Sequence, residues 1–142
     1  MSSFTEQRIL AIDYGSQRIG LAISDPMGII AGGIGTLQNT SNMLDELATI
    51  IFERGVTQII IGLPLTLKAE HGVSAKSVDQ FRNKVAEKVD VPIEMVDERF
   101  TSTIAEQTIR DMGMGRKKRR EKGKIDEIAA IVLLQGYLDR RR

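Results

Sequence analysis

Two short apolar runs, Ile9-Leu10-Ala11-Ile12 and Ile19-Gly20-Leu21-Ala22-Ile23, are separated by polar, glycine-bearing sequence. This pattern predicts paired strands over Ile9–Asp13 and Ile19–Ser24 around a Gly15-Ser16-Gln17 turn, with Asp25-Pro26-Met27-Gly28 as a second turn. A third strand is expected within Ile29–Leu37, its limits blurred by Gly28, Gly32, Gly33 and Gly35. The period then changes. Leu44, Leu47, Ala48 and Ile51 fall at i, i+3, i+4 and i+7, which predicts a helix capped by Ser41 or Asn42 and ended by Gly55. Thr57–Ile61 is a β-branched apolar run of the kind buried on both faces of a sheet, stopped by Gly62-Leu63-Pro64.

Val78, Phe81, Val85 and Val89 mark a second amphipathic helix, and Val91–Val96 a short strand that runs into Asp97-Glu98-Arg99. Thr103-Ile104-Ala105-Glu106 has capping-box spacing and opens a third helix ending near Met112-Gly113. The final helix is expected from about Ile125 to Leu138, with Ile125, Ile128, Ala129, Val132 and Leu133 on its apolar face. The order β-β-β-α-β-α-β-α-α gives an α/β fold, a mixed sheet covered by helices in one domain spanning 1–142.

Composition narrows the function classes. At 142 residues, with 42% hydrophobic and 27% charged positions, the chain is globular in type. No stretch approaches the ~20 apolar residues that span a bilayer, so no membrane role is expected. Met1-Ser2-Ser3-Phe4-Thr5-Glu6 lacks the pattern of a signal peptide. Without cysteine there are no disulfides, thiolate metal sites or thiol nucleophiles, and the cytoplasm is the default compartment. The net charge of +1 hides an asymmetry: residues 1–115 hold 10 Lys and Arg against 15 Asp and Glu, whereas residues 116–142 hold 10 against 4. An acidic body beside a basic segment suits a protein that gathers cations in one place and polyanions in another.

Three acids stand out by position. Asp13 closes the first strand, Glu98 follows the strand Val91–Val96, and Asp126 lies in what reads as the first turn of the final helix. Ligands of open α/β sheets bind beyond the carboxyl ends of strands, where the first two belong. Carboxylates without His or Cys favour hard cations such as Mg²⁺ or Mn²⁺. Two such ions, roughly 3.5–4 Å apart, can activate water and stabilise the leaving oxygen in phosphodiester cleavage. Each acid also has a plainer reading. Asp126 could complement the helix dipole, and Glu98 could pair with Arg99 or a surface lysine. Asp13 is the hardest to explain structurally, because a charge closing an apolar strand is costly to desolvate.

Arg116-Lys117-Lys118-Arg119-Arg120-Glu121-Lys122-Gly123-Lys124 carries seven positive charges in nine residues, directly before Asp126. A solvated surface run is the plain reading; its position favours a clamp on substrate phosphates, which gives affinity without sequence information. Arg18 could reach a phosphate beside Asp13 or pair with an acid on the hairpin. His71, the single histidine, sits in a polar loop and is expected to face solvent rather than act as a general acid. The hairpin with Asp-x-Gly also fits the phosphate loop of ATPases of the actin and sugar-kinase class, but those proteins close two such domains over ATP. A non-catalytic RNA-binding module is the third reading, motivated by the basic run.

Asp13-x-Gly15-x-x-Arg18-Ile19-Gly20-x-Ala22, Gly62-Leu63-Pro64, Asp97-Glu98-Arg99 with Thr101, and Lys124-Ile125-Asp126-x-x-Ala129-Ala130 follow one another along nearly the whole chain. Together they resemble the YqgF family, also called Holliday-junction-resolvase-like or pre-16S rRNA nucleases. The resemblance implies an RNase H-like fold: a mixed five-stranded sheet, three antiparallel strands then two parallel, with helices on both faces. It implies a metal-dependent nuclease with Asp13, Glu98 and Asp126 as acidic triad and Mg²⁺ or Mn²⁺ as cofactor. Arg18, Arg99, Arg116, Lys117, Lys118, Arg119, Arg120, Lys122 and Lys124 are the corresponding candidates for binding substrate. The implied role is maturation of the 5′ end of pre-16S rRNA in the cytoplasm, with branched DNA as the alternative substrate, by a monomer or homodimer. In the usual strand order of this fold, Glu98 would act from two strand spacings away, on the order of 10 Å between backbones. That distance favours a glutamate over Asp97. The stretch Leu67-Lys68-Ala69-Glu70-His71-Gly72 departs from the glycine and acidic residues associated with the family.

Overall fold

Every side chain of β1 (Ile9–Asp13) is buried, because this strand lies at the centre of the sheet and both of its faces are covered. The computed structural model describes residues 6–63, 74–97 and 122–141. The sheet order is β3-β2-β1-β4-β5. β2 (Arg18–Ser24) is antiparallel to β1 and to β3 (Ala31–Gln38), while β4 (Gln58–Leu63) is parallel to β1 and to β5 (Ile93–Asp97). Helices α1 (Met43–Glu53), α2 (Ala75–Lys88) and α3 (Lys122–Arg141) complete the described elements.

The two-residue alternation of strands sorts the core into two layers. On one face Leu10, Ile12, Ile19, Leu21, Ile59 and Ile61 pack against Met43, Leu47 and Ile51 of α1 and Val78, Phe81 and Val85 of α2. Burying one such leucine or isoleucine is worth roughly 1.5–3 kcal/mol. On the other face Ile9, Ala11, Ala22, Ile60 and Val96 pack against Ala130, Leu133, Leu134 and Leu138 of α3. Beyond Ile9, the α3 side of β1 and β2 carries the small residues Ala11, Ala22 and Gly20, and at Gly20 the helix backbone sits close to the sheet. The antiparallel-then-parallel sheet with helices on both faces agrees with the sequence reading.

Local boundaries differ for identifiable reasons. β4 does not stop at Gly62: Gly62 pairs with Val96 and Leu63 with Asp97, so the ladder to β5 carries the strand through the glycine. β3 starts at Ala31, because the N–H groups of Ile29 and Ile30 both donate to the Asp25 carboxylate, each at 2.7 Å. Asn42 is the N-cap of α1 but makes no side-chain capping bond, whereas Ser74 and Ser77 form a reciprocal capping box at α2. Among the described side chains of α3, Ile128, Val132 and Leu133 are buried as expected, joined by Ala130, Leu134 and Leu138; Ala129 is only partly buried, and the Ile125 side chain lies outside the described residues. The helix expected over residues 103–112 lies outside the described residues. Among the described residues no helix is long and apolar enough to cross a membrane.

Candidate nuclease site

Asp13 is only 2% exposed, and with Ser24 it makes up the buried polar or charged residues of the described chain. Ser24 is satisfied locally: its Oγ accepts the Ile9 N–H at 2.9 Å and donates to the Gln7 carbonyl at 3.4 Å. Asp13 is a carboxylate at the carboxyl end of the central strand. Ile9 and Ala11 face α3, and by the same alternation so does Asp13.

The turn that follows is tightly held. A Cβ on Gly15 would lie 2.5 Å from the Arg18 carbonyl oxygen, so only glycine fits the close approach. Asn39 Nδ2 donates to the Gly15 carbonyl (2.9 Å) and to the Tyr14 hydroxyl (3.1 Å), and the Tyr14 ring stands 4.5 Å from that of Phe81. Asn39 was not singled out from sequence, since a polar residue in Gln38-Asn39-Thr40 looks like any loop asparagine.

Gly20 brings the second acid in. It is the ladder partner of Asp13, and directly opposed residues of an antiparallel pair present their side chains to the same face. A Cβ on Gly20 would collide with the carbonyl of Asp126 and lie 2.9 Å from the Glu127 amide nitrogen. The backbone of α3 therefore rests on the strand residue paired with Asp13, and Asp126 is delivered to the same corner. Glu127 fixes this seating: its Oε2 accepts the Gly35 N–H at 2.7 Å, beside the irregularity in the β2–β3 ladder. The clustered glycines of β3 were a visible signal, although the carboxylate they receive was not identified from sequence.

Arg18 Nε donates to Asp126 Oδ2 at 3.1 Å, with the two side chains 21% and 28% exposed. Of the two readings open for Arg18, pairing with an acid is the one seen, but the acid belongs to α3 rather than to the hairpin. Asp126 also needs a correction. Because α3 begins at Lys122, Asp126 falls in the second turn, and the first turn holds no acidic residue. Helix-dipole stabilisation fades beyond the first turn, so that plainer explanation of Asp126 loses its force.

Lys122 and Lys124 lie in the opening turn of α3. Glu98, Arg99, Arg116, Lys117, Lys118, Arg119, Arg120 and His71 lie outside the described residues. β5, after which Glu98 comes in the sequence, is separated from β1 by β4, the two spacings expected. Among the described residues no group of three or more His, Cys, Asp and Glu is arranged to hold a metal. The two acids brought to one corner, Asp13 and Asp126, offer only oxygen donors, a chemistry that fits a hard divalent cation.

Residues 7–140 match the family model RuvX, described as Holliday junction resolvase. The chain is 42% identical over 139 residues to a protein of Chloroflexus aggregans named "Putative pre-16S rRNA nuclease", covering 96% of each chain. It is 44% identical over 133 residues to a Porphyromonas gingivalis protein of the same name, covering 93% of this chain and 96% of the relative. Among solved structures, Thermus thermophilus RuvC in complex with Holliday junction substrate superposes with a TM-score of 0.60 at 12% identity, over 95% of both chains. Fowlpox virus resolvase with its substrate Holliday junction DNA gives 0.58 at 14%, over 95% of this chain and 99% of the other. At such identities these two likenesses speak for the fold alone, which is RNase H-like. With the family model spanning nearly every residue and relatives above 40% identity at matching length, the chain belongs to the RuvX family of Holliday-junction-resolvase-like nucleases.

Proposed function

We propose that this chain is a divalent-metal-dependent nuclease that hydrolyses phosphodiester bonds of structured RNA, and that its substrate is the 5′ region of pre-16S rRNA. The observation that carries the reading is the burial of Asp13 at the end of β1, on the face where α3 delivers Asp126. A non-catalytic RNA-binding module would gain nothing from desolvating a carboxylate there.

In this reading Asp13, Asp126 and Glu98 hold the cation, Mg²⁺ or Mn²⁺. Bound there, the cation supplies Lewis acidity and lowers the pKa of a coordinated water. Asp13 is the least adjustable ligand because the sheet surrounds it, while Asp126 is set by the seating of α3 on Gly20. Glu98, reaching from the β5 side, spans two strand spacings, about 10 Å between backbones, with the longer of the two available carboxylate side chains. Arg99 and the basic residues Arg116, Lys117, Lys118, Arg119, Arg120, Lys122 and Lys124 contact substrate phosphates. Their affinity is salt-dependent and carries no sequence information. The protein acts in the cytoplasm as one domain over residues 1–142.

The RNA assignment draws on the names of the curated relatives. Branched DNA is the alternative, favoured by the family description. Purified protein with Mg²⁺ or Mn²⁺ is offered 5′-extended 16S rRNA precursor and a four-way DNA junction in parallel. Cleavage of the precursor that disappears in Asp13→Asn supports the proposal. Cleavage of the junction alone transfers it to DNA, and cleavage retained by clean Asp13→Asn protein contradicts the site.

A further inference from the structure

Asp126 is held by a protein cation. The Arg18 guanidinium lies on its Oδ2 at 3.1 Å, and both side chains are only about a quarter exposed. Arg18 opens β2 on the strand whose next α3-facing position is Gly20, the residue on which the Asp126 backbone rests. Helix seating does not depend on this pair alone, because Glu127 binds the Gly35 N–H and Gln135 binds the Ala31 N–H at 2.9 Å. What Arg18 adds is a positive charge on the partly exposed Asp126 carboxylate.

We propose that Arg18 is a placeholder cation: it neutralises Asp126 while the metal site is empty and must release it when a divalent ion binds. The inference rests on the metal-dependent reading above. The Asp126 backbone lies against Gly20, the ladder partner of Asp13, and a positive charge on Asp126 lowers the electrostatic cost of bringing two carboxylates to that corner. A divalent ion arriving on Asp126 meets the guanidinium as a like charge at close range, so occupancy by one disfavours the other. Release leaves Arg18, a planar fork of donors suited to phosphate oxygens, beside the bond to be cleaved. In this way Arg18 ties readiness to hold phosphate to the presence of metal.

The sign of one measurement separates this role from a purely structural one. Mn²⁺ binding is titrated calorimetrically, without nucleic acid, for the wild type, Arg18→Gln and Arg82→Gln. Arg82, on α2 across the sheet, donates to Asn83, and its substitution removes the same charge far from the site. Arg18→Gln should bind Mn²⁺ more tightly than the wild type by about three- to tenfold, about 0.7–1.4 kcal/mol, and Arg82→Gln should not. Equal or weaker binding by Arg18→Gln, or an equal gain in Arg82→Gln, overturns the placeholder role while leaving the metal site standing. Absence of Mn²⁺ heat in both the wild type and Arg18→Gln overturns both readings together. A second readout uses unmodified protein and does not depend on the variant folding. The Arg18 Nε–H resonance should move on saturation with Mg²⁺ as the bond to Asp126 is lost, and an unmoved resonance contradicts the release.

Discussion

The backbone of Asp126 rests on Gly20, so closely that a Cβ on the glycine would overlap the Asp126 carbonyl. Gly20 is in turn the ladder partner of Asp13. One missing methyl group therefore sets how near the two acids come. Gly20→Ala must push α3 off the sheet, because the obstruction is backbone and cannot rotate away. The expected cost is about 2–3 kcal/mol, at the upper end for overpacking. Urea denaturation reads this out, and cleavage should fall further than the stability loss explains.

Asp13→Asn keeps shape and removes charge. If the carboxylate is kept for chemistry and not for folding, the variant should melt within a few degrees of the wild type or above it, since a buried amide is cheaper to desolvate than a buried carboxylate. Cleavage should drop by about a thousandfold or more, in line with removal of a group that supports the metal's Lewis acidity. Thermal melts and turnover on the same preparation test both halves.

Glu127→Gln weakens the anchor between α3 and β3. The Gly35 N–H would lose a charged acceptor and keep a neutral one, for a stability loss of about 1 kcal/mol. Since Glu127 is placed outside the metal-binding set, Mn²⁺ affinity should change much less than in Asp126→Asn, and calorimetry on the two variants checks the contrast.

Asp25 gives a pH signature remote from the site. Backbone N–H groups of Ile30, Ile29 and Met27 donate to its carboxylate, which lowers its pKa below the ordinary carboxylate value of 3.8. A carboxylate whose folded pKa is depressed contributes stability above its unfolded pKa and loses that contribution as pH falls through the folded value. The wild type should therefore be more stable than Asp25→Asn at pH 7, and the gap should close below about pH 3.8. Denaturation curves at pH 7, 4 and 3 give the comparison; a gap that widened on acidification would contradict it.

Much of this was legible in the sequence because the signals were local and periodic. The change from alternating to helical spacing located the strands and helices, and Asp13 declared itself as a charge closing the run Ile9-Leu10-Ala11-Ile12. Boundaries were less legible where long-range pairing overrode local chemistry, as at Gly62, which looks like a strand stop but is carried through by Val96. The partner of Arg18 was invisible, because it lies 108 residues away on a helix whose seating depends on Gly20. Asn39 was hidden for the same reason: its role depends on a turn that closes only when β3 folds back beside β2. Glu127 could have been suspected from its position next to Asp126, but nothing local says that its target is a glycine of β3.

In the proposed site, Asp13 and Asp126 share a divalent cation with Glu98. This arrangement is tested most directly by crystals soaked in Mn²⁺ and measured for anomalous scattering. A peak is expected in contact with the carboxylates of Asp13 and Asp126, with Glu98 as the third protein ligand. A peak held by other residues, or none near Asp13 at saturating Mn²⁺, would contradict it.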